Sequence, residues 1–140
     1  MADTVTTLAN FGITVPNKVG EGAKVLAALT AEGVTMMGFW GYPVKGKKAQ
    51  LDIAPADAKV FTKAAKKLGY EVGAKRTAFL VSGEDRPGAV AEALGKLAAA
   101  GISTYAAHAA CAGEGRYGAL IQVGEDDVKA AKKALNKTKK

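Results

Sequence analysis

The sequence contains two similar halves, and this internal repeat constrains the fold more than any other feature. When Phe11 is placed on Phe79, a series of further residues coincides. The identical pairs include Gly20 with Gly88, Ala23 with Ala91, Leu26 with Leu94, Leu29 with Leu97, Gly33 with Gly101 and Ile53 with Ile121. A repeat of this length exceeds the roughly 20–50 residues of a solenoid unit, so each half is expected to be a small fold in itself. We therefore predict two tandem domains, residues 1–74 and 75–140.

Both halves show the same succession of strand and helix patterns. An apolar run that is typical of a strand, residues 11–15 or 77–82, precedes an amphipathic helical stripe. The stripe positions are Val19, Ala23, Leu26 and Leu29 in the first half and Pro87, Ala91, Leu94 and Leu97 in the second. Two strand patterns joined by a hairpin follow, and then a second helix, predicted to start at Pro55 or near residues 125–127. This order predicts an α+β fold of two tandem ferredoxin-like βαββαβ units, with antiparallel sheets and helices on one face.

A pattern for the last strand of the βαββαβ unit is present in the first half and missing from the second. Residues 70–72 are predicted to supply a fourth strand to the first half, whereas residues 136–140 supply none to the second. The β-prone segment Thr4–Leu8 precedes the first strand and is not needed by the first half. We expect this segment either to lengthen the first strand or to complete the sheet of the second half.

The charge distribution does not indicate a nucleic-acid-binding protein. The chain has 20 Lys and Arg against 13 Asp and Glu, a net charge of +7. Six lysines and no acidic residue lie between Lys129 and Lys140, so the rest of the chain is nearly neutral. Cations also stabilise the C-terminus of a helix, and a solvated helix end is the simpler interpretation. A single Cys and the lack of an apolar run of about 20 residues are typical of a cytoplasmic protein without a membrane span.

Three short motifs resemble parts of phosphate-binding, dinucleotide-binding and metal-binding sites, but the residues around them do not complete any of these sites. The segment 41–48 resembles a phosphate-binding loop, but it lacks the Ser or Thr required at its end, and a strand pattern follows it, so we predict a hairpin. Gly20 and Gly22 open a helix without the third glycine of a dinucleotide-binding motif. His108 and Cys111 are too few for a closed metal site, and a single His offers no catalytic constellation. We expect no catalysis, no metal and no cofactor.

The loop between the first strand and the first helix carries the most informative residues. Asn17 and Asp85 occupy equivalent positions in the two halves, and both residue types are preferred helix N-caps. Three residues later come Gly20 and Gly88, which have no Cβ to shield the first-turn amides. Unsatisfied amides at a helix N-terminus form a natural carboxylate site. The same spacing is also consistent with caps and tight turns that hold no ligand.

The second half resembles the ACT domain, a ligand-sensing module of amino-acid metabolism. The resemblance rests on the run Asp85–Val90, followed by Leu94, Leu97 and the segment Ala100–Ile102. The first half follows the pattern less closely, since residues 17–20 read Asn-Lys-Val-Gly where the second half has Asp-Arg-Pro-Gly. The whole chain is similar to small stand-alone proteins that consist of two tandem ACT domains.

The resemblance implies a regulatory protein that binds a small amino acid at the interface between two modules. In that family, backbone atoms of the loop after the first strand hold the carboxylate and amino groups of the ligand, and the second strand of the adjoining module closes the pocket. The matching positions are Asn17, Lys18, Gly20, Asp85, Arg86 and Gly88, with Met37, Phe39, Ala106 and His108 as second-strand candidates. An amino-acid effector and a homodimer are the expected partners.

Two other classes of function are compatible with the sequence. An RNA-recognition motif has the same order of elements, and the strand that begins at Arg116 resembles its central motif without the later aromatic residues. A structural or partner-binding protein with a degenerate pocket would show the same repeat. The low aromatic content of 6% leaves little surface for base stacking, so an amino-acid sensor is the preferred hypothesis.

Overall fold

The computed structural model describes residues 3–137, which contain six strands and four α-helices. The strands are β1 (Thr4–Pro16), β2 (Met36–Val44), β3 (Lys48–Pro55), β4 (Arg76–Glu84), β5 (Thr104–Gly113) and β6 (Arg116–Val123). The helices are α1 (Glu21–Ala31), α2 (Ala58–Leu68), α3 (Ala89–Ala99) and α4 (Val128–Leu135), with a short 3₁₀ turn, Glu125–Asp127, before α4. These antiparallel strands and helices confirm the predicted α+β class. No helix in the described part of the chain is long and apolar enough to cross a membrane.

The described residues form two compact units. The first unit consists of residues 9–76, and the second unit consists of residues 77–137 together with residues 3–8. The predicted domains, 1–74 and 75–140, stay a prediction, and these units differ from them mainly in the placement of residues 3–8. The end of the predicted basic tail, residues 138–140, lies outside the described residues.

In the first unit, β3 lies between β2 and β1, and both pairings are antiparallel. The β2–β3 pairing confirms the hairpin that was predicted for segment 41–48. The predicted fourth strand is reduced to one bridge, between Ile13 and Val72, with the Gly73 amide donating to the Gly12 carbonyl at 3.0 Å. Helices α1 and α2 cover a core in which Phe61 stacks on Phe11 with ring centroids 4.8 Å apart.

In the second unit, β6 lies between β4 and β5, again in antiparallel pairings, and β1 is the other neighbour of β4. The segment Thr4–Leu8 therefore meets both expectations, because it lengthens the first strand and belongs to the second unit. Val5 packs against a core that contains the fully buried Phe79, Leu97 and Ile121. This contact positions the N-terminal residues beside the loop that precedes α3.

Both predicted helix starts in the first unit need correction. Helix α1 begins at Glu21, so Val19 lies in the preceding loop and is fully exposed, and Ala23 is exposed on the helix. The predicted Leu29 is buried, together with Val25, which was not predicted. Helix α2 begins at Ala58, because Pro55 still belongs to β3. The side chain of Asp57 caps α2 by accepting from the amides of Lys59 and Val60 at 2.9 and 3.3 Å, which satisfies two of its orphan donors.

Candidate functional site

The two strand-to-helix loops have the same backbone geometry, and their helix caps differ from the prediction. The N-caps are Gly20 and Gly88, with φ of 87° and 82°, and neither helix has a side-chain cap hydrogen bond. The prediction that Asn17 and Asp85 are N-caps is therefore wrong. Glycine takes the cap position because the backbone there is left-handed, a conformation that glycine adopts without a steric penalty.

The first turn of α3 has backbone donors without an intrahelical acceptor. The first helical hydrogen bond runs from the Glu92 amide to the Gly88 carbonyl at 2.9 Å. The amides of Val90 and Ala91, at the second and third helical positions, have no intrahelical acceptor. A Cβ added to Gly88 would meet no atom within 4 Å, so the space beside Gly88 itself is open.

A cavity of about 440 Å³ lies in front of this turn, inside the second unit. The loop contributes Asp85, Arg86 and Gly88, all three of which were predicted as site residues. The first turn of α3 contributes Ala89, Val90 and Ala91, and β6 contributes Tyr117. The volume falls within the range of about 300–1,000 Å³ that is usual for small-molecule sites.

The strand β5 forms the remaining wall, through residues other than those predicted. Ala109, Ala110 and Cys111 line the cavity, whereas Ala106 and His108 lie earlier on β5 and are not among the lining residues. The antiparallel register explains this placement, because Cys111 pairs with Tyr117 next to the β5–β6 turn. The sequence signal that could have identified these lining residues was the predicted β5–β6 hairpin. Its turn lies beside the loop that precedes α3, since the Asp85 amide donates to the Gly115 carbonyl in that turn.

The equivalent residues of the first half are exposed and form the same turn. The Asn17 amide donates to the Lys47 carbonyl at 2.9 Å, as the Asp85 amide donates to the Gly115 carbonyl at 2.7 Å. Both loops are thus tied to the tip of their own β-hairpin. The predicted residues Lys18 and Gly20 are also exposed, on the same loop as Asn17.

The two second-strand candidates of the first half have different environments. Phe39 packs against the core of the first unit, whereas Met37 is 47% exposed. In a regular strand, residues two positions apart, such as Met37 and Phe39, have side chains on the same face. A register shift between Met36 and Gly38 interrupts this alternation in β2. Phe39 therefore contributes to the packing of this unit.

The Cys111 thiol at the cavity wall is held in its neutral form. Its hydrogen bond to the Asp85 carboxylate raises the pKa of Cys111 above the ordinary value of 9.0, with a further contribution from burial. A raised pKa disfavours the thiolate, which is the nucleophilic form. Among residues 3–137, no three His, Cys, Asp or Glu side chains lie close enough together to hold a metal ion.

A cluster of polar side chains next to the cavity was not predicted from the sequence. Asp3 accepts two hydrogen bonds from Arg86, at 3.2 Å to each carboxylate oxygen, and one from the hydroxyl of Tyr117 at 2.5 Å. Arg86 also donates to Glu92 and to the carbonyl of Glu84, both at 3.0 Å. No sequence signal links Asp3 to this loop, because it lies 83 residues before Arg86 and 114 before Tyr117.

The protonation of the cluster follows from these contacts. Burial by itself raises the pKa of Asp3, but the hydrogen bonds from Arg86 and Tyr117 outweigh it, and the pKa lies below its ordinary value of 3.8. The neighbouring carboxylates raise the pKa of Arg86, which stays charged. Burial, followed by the hydrogen bond to Asp3, raises the pKa of Tyr117 to about 12 from its ordinary value of 10.0. At neutral pH the cluster is therefore a carboxylate held by a guanidinium and a phenol.

The raised pKa of Tyr117 predicts a stability loss in alkaline solution. Because the folded protein holds this proton more tightly than the unfolded chain, the contribution is complete below pH 10 and is lost as the pH rises from 10.0 toward about 12. The difference in unfolding free energy between the wild type and Tyr117→Phe should shrink by about 2 kcal/mol across this window. Denaturant unfolding of both proteins at several pH values measures this difference in unfolding free energy. The titration of lysines in the same pH range affects both proteins equally and therefore cancels in the difference. Parallel losses in the two proteins would contradict the expectation.

Comparisons with known proteins identify the fold. No protein-family model matches the sequence, and the comparison with curated proteins gives no match. Among solved structures, protein BT0572 from Bacteroides thetaiotaomicron is similar with a TM-score of 0.79 and 20% identity, over 94% of this chain and 88% of that one. The regulatory subunit of aspartate kinase from Thermus thermophilus, in its ligand-free form, is similar with a TM-score of 0.69 and 18% identity, over 96% and 95%. The chain thus has an α+β fold that is similar to that of regulatory subunits of aspartate kinase.

Proposed function

We propose that this chain is a non-catalytic regulatory protein that binds a small amino acid at the loop Asp85–Gly88. The observation that carries the proposal is the cavity of about 440 Å³ in front of the first turn of α3. Its floor offers the amides of Val90 and Ala91 at the positive end of a helix dipole, where a carboxylate binds favourably. The fold shared with regulatory subunits of aspartate kinase supports a regulatory role.

The ligand is proposed to bind with its carboxylate on the first-turn amides and its amino group toward Asp85. Asp85 is exposed, carries a negative charge and lines the same cavity. An ammonium group is a suitable partner for this carboxylate because it supplies both charge and hydrogen-bond donors. The alanines of β5, Ala109 and Ala110, leave an apolar wall for a small side chain.

RNA binding is not supported by the environment of the aromatic residue on β6. Recognition by stacking requires exposed rings on this strand. Tyr117 is only 4% exposed, and its hydroxyl donates to Asp3, so its ring is not available to a base. The corresponding strand of the first unit, Lys48–Pro55, contains no aromatic residue.

Thermal unfolding in the presence of each of the twenty amino acids tests the proposal. A ligand at about 100 times its dissociation constant should stabilise the folded protein by about 2.7 kcal/mol. One amino acid, or a group of similar ones, is expected to raise the melting temperature by several degrees, while the others do not. If none of the twenty shifts the melting temperature at millimolar concentration, the pocket is degenerate and the proposal fails.

Three further expectations accompany the proposed function and stay predictions. They are the second binding site at Asn17, Lys18 and Gly20, the contribution of an adjoining module to the pocket, and assembly as a cytoplasmic homodimer. Sedimentation velocity with and without the amino acid that shifts the melt would test the dimer directly. A titration by calorimetry would give the number of sites for each chain.

A further inference from the structure

The cluster of Asp3, Arg86 and Tyr117 has the geometry of a carboxylate-binding site. Both oxygens of Asp3 are held, Oδ1 by Arg86 and Oδ2 by Arg86 and the Tyr117 hydroxyl. A planar guanidinium that donates two parallel hydrogen bonds matches a carboxylate in both shape and charge. The phenol adds a short third hydrogen bond that a ligand carboxylate could equally accept.

The backbone around Asp3 leaves room for this carboxylate. A Cβ added to Gly83 would overlap the carboxylate of Asp3, so only glycine permits the close approach. The corresponding residue of the first half is Val15, and the counterparts of Arg86 and Tyr117 are Lys18 and Ala49. The cluster therefore belongs to the second half of the repeat and is not a feature of both copies.

The same two side chains also line the proposed ligand cavity. Arg86 and Tyr117 both contribute to it, and the side chain of Arg86 is 35% exposed. The guanidinium carbon lies 6.0 Å from the centre of the Tyr117 ring, which keeps both groups on one side of the loop. A carboxylate that enters the cavity can thus reach the donors that now hold Asp3.

We propose that Arg86 and Tyr117 form a carboxylate-binding site in the second unit, and that Asp3 occupies it in the free protein. The side-chain carboxylate of an acidic amino acid, whose α-carboxylate lies on the first-turn amides of α3, displaces Asp3. This exchange rests on the proposed function, since it makes Asp3 a built-in competitor of the amino acid. Ligand binding would then release the side chain that holds the start of β1 to the loop. Occupancy of the cavity and the position of the N-terminal segment are thereby coupled, because the ligand carboxylate and the Asp3 carboxylate compete for the same donors.

Rescue of Asp3→Ala by acetate tests the carboxylate site without any amino acid. The substitution removes the internal carboxylate and should lower the melting temperature. Acetate raised to about 100 mM, well above the millimolar effective concentration of a flexibly tethered group, should restore at least half of that loss. The wild type should respond to acetate no more than to chloride, because Asp3 already fills the site.

Two controls make the result specific. The double variant Asp3→Ala, Arg86→Gln should not respond to acetate, because the bidentate donor is missing. If Asp3→Ala does not fold, Asp3→Asn carries the same comparison, since a neutral carboxamide is a weaker acceptor for Arg86 than acetate. A folded Asp3 variant that ignores acetate, or a double variant that responds equally, would overturn the proposal and leave Asp3 as a structural anchor.

The amino-acid melts separate this inference from the proposed function. If acetate rescues Asp3→Ala but no amino acid stabilises either protein, the carboxylate site stands and the sensor function fails. If an amino acid stabilises the wild type but acetate does not rescue, the sensor stands and the exchange fails. If both hold, Asp3→Ala should bind the amino acid several-fold more tightly than the wild type, because its competitor is gone. Equal affinity of the two proteins would contradict displacement.

Discussion

Replacing Phe61 by alanine is expected to lower the free energy of unfolding by about 3–5 kcal/mol. Phe61 is completely buried in the core of the first unit, and its ring stacks on Phe11 with centroids 4.8 Å apart. The substitution removes the apolar contacts of a whole ring and leaves a cavity that α2 and the sheet can close only in part. Urea unfolding followed by circular dichroism measures the loss.

Val60→Ala is the matched control for this experiment. Val60 precedes Phe61 on α2 but is 37% exposed, so its truncation should change the free energy of unfolding by no more than about 0.5 kcal/mol. Alanine also favours the helical backbone more than a β-branched residue, which offsets part of any lost contact. Equal losses for the two variants would show that the described core does not carry the stability of this unit.

Replacing Gly88 by valine is expected to abolish ligand binding and to destabilise the protein by about 1–3 kcal/mol. The backbone of Gly88 has φ of 82°, which a β-branched residue adopts only with strain. Relief of this strain would move the first turn of α3, whose amides are the proposed carboxylate donors. The stabilisation by the amino acid, about 2.7 kcal/mol at saturating concentration, should therefore disappear.

Gly20→Val separates backbone strain from the loss of the site. Gly20 has nearly the same conformation, with φ of 87°, and a Cβ there also meets no atom within 4 Å. The destabilisation should be similar, but the cavity in the second unit should still bind the amino acid. Thermal melts of both variants with and without ligand give the comparison. If Gly20→Val loses the response and Gly88→Val keeps it, the site belongs to the first half instead.

The order of helices and strands was predictable because it depends on local patterns. Alternating and helical periodicity places the strands around Phe11 and Phe79 and the helices that follow them, and the repeat supports each assignment with a second copy. The helix starts were less predictable. Val19 continues the apolar spacing of α1 but lies in the loop, because periodicity cannot show where the left-handed Gly20 starts the helix.

The candidate site was predictable in its loop and less so in its walls. The resemblance pointed to Asp85, Arg86 and Gly88, and these three residues line one cavity. The strand residues opposite them depend on the pairing register of β5 and β6, and a register is fixed by the turn and by the buried face. Cys111 pairs with Tyr117, so the cavity lies near the turn, further along β5 than His108.

The sequence by itself determined the repeat, the α+β class and the two glycine-containing loops, since each of these depends on residues that are near one another in the chain. Only the tertiary structure decided that residues 3–8 join the second unit and that Asp3 fills the space above Gly83. Contacts between residues 83 or 114 positions apart depend on how the strands come together in space, and no local spacing encodes them. The hydrogen bonding of Arg86 therefore depends on Asp3, a residue from the start of the sequence.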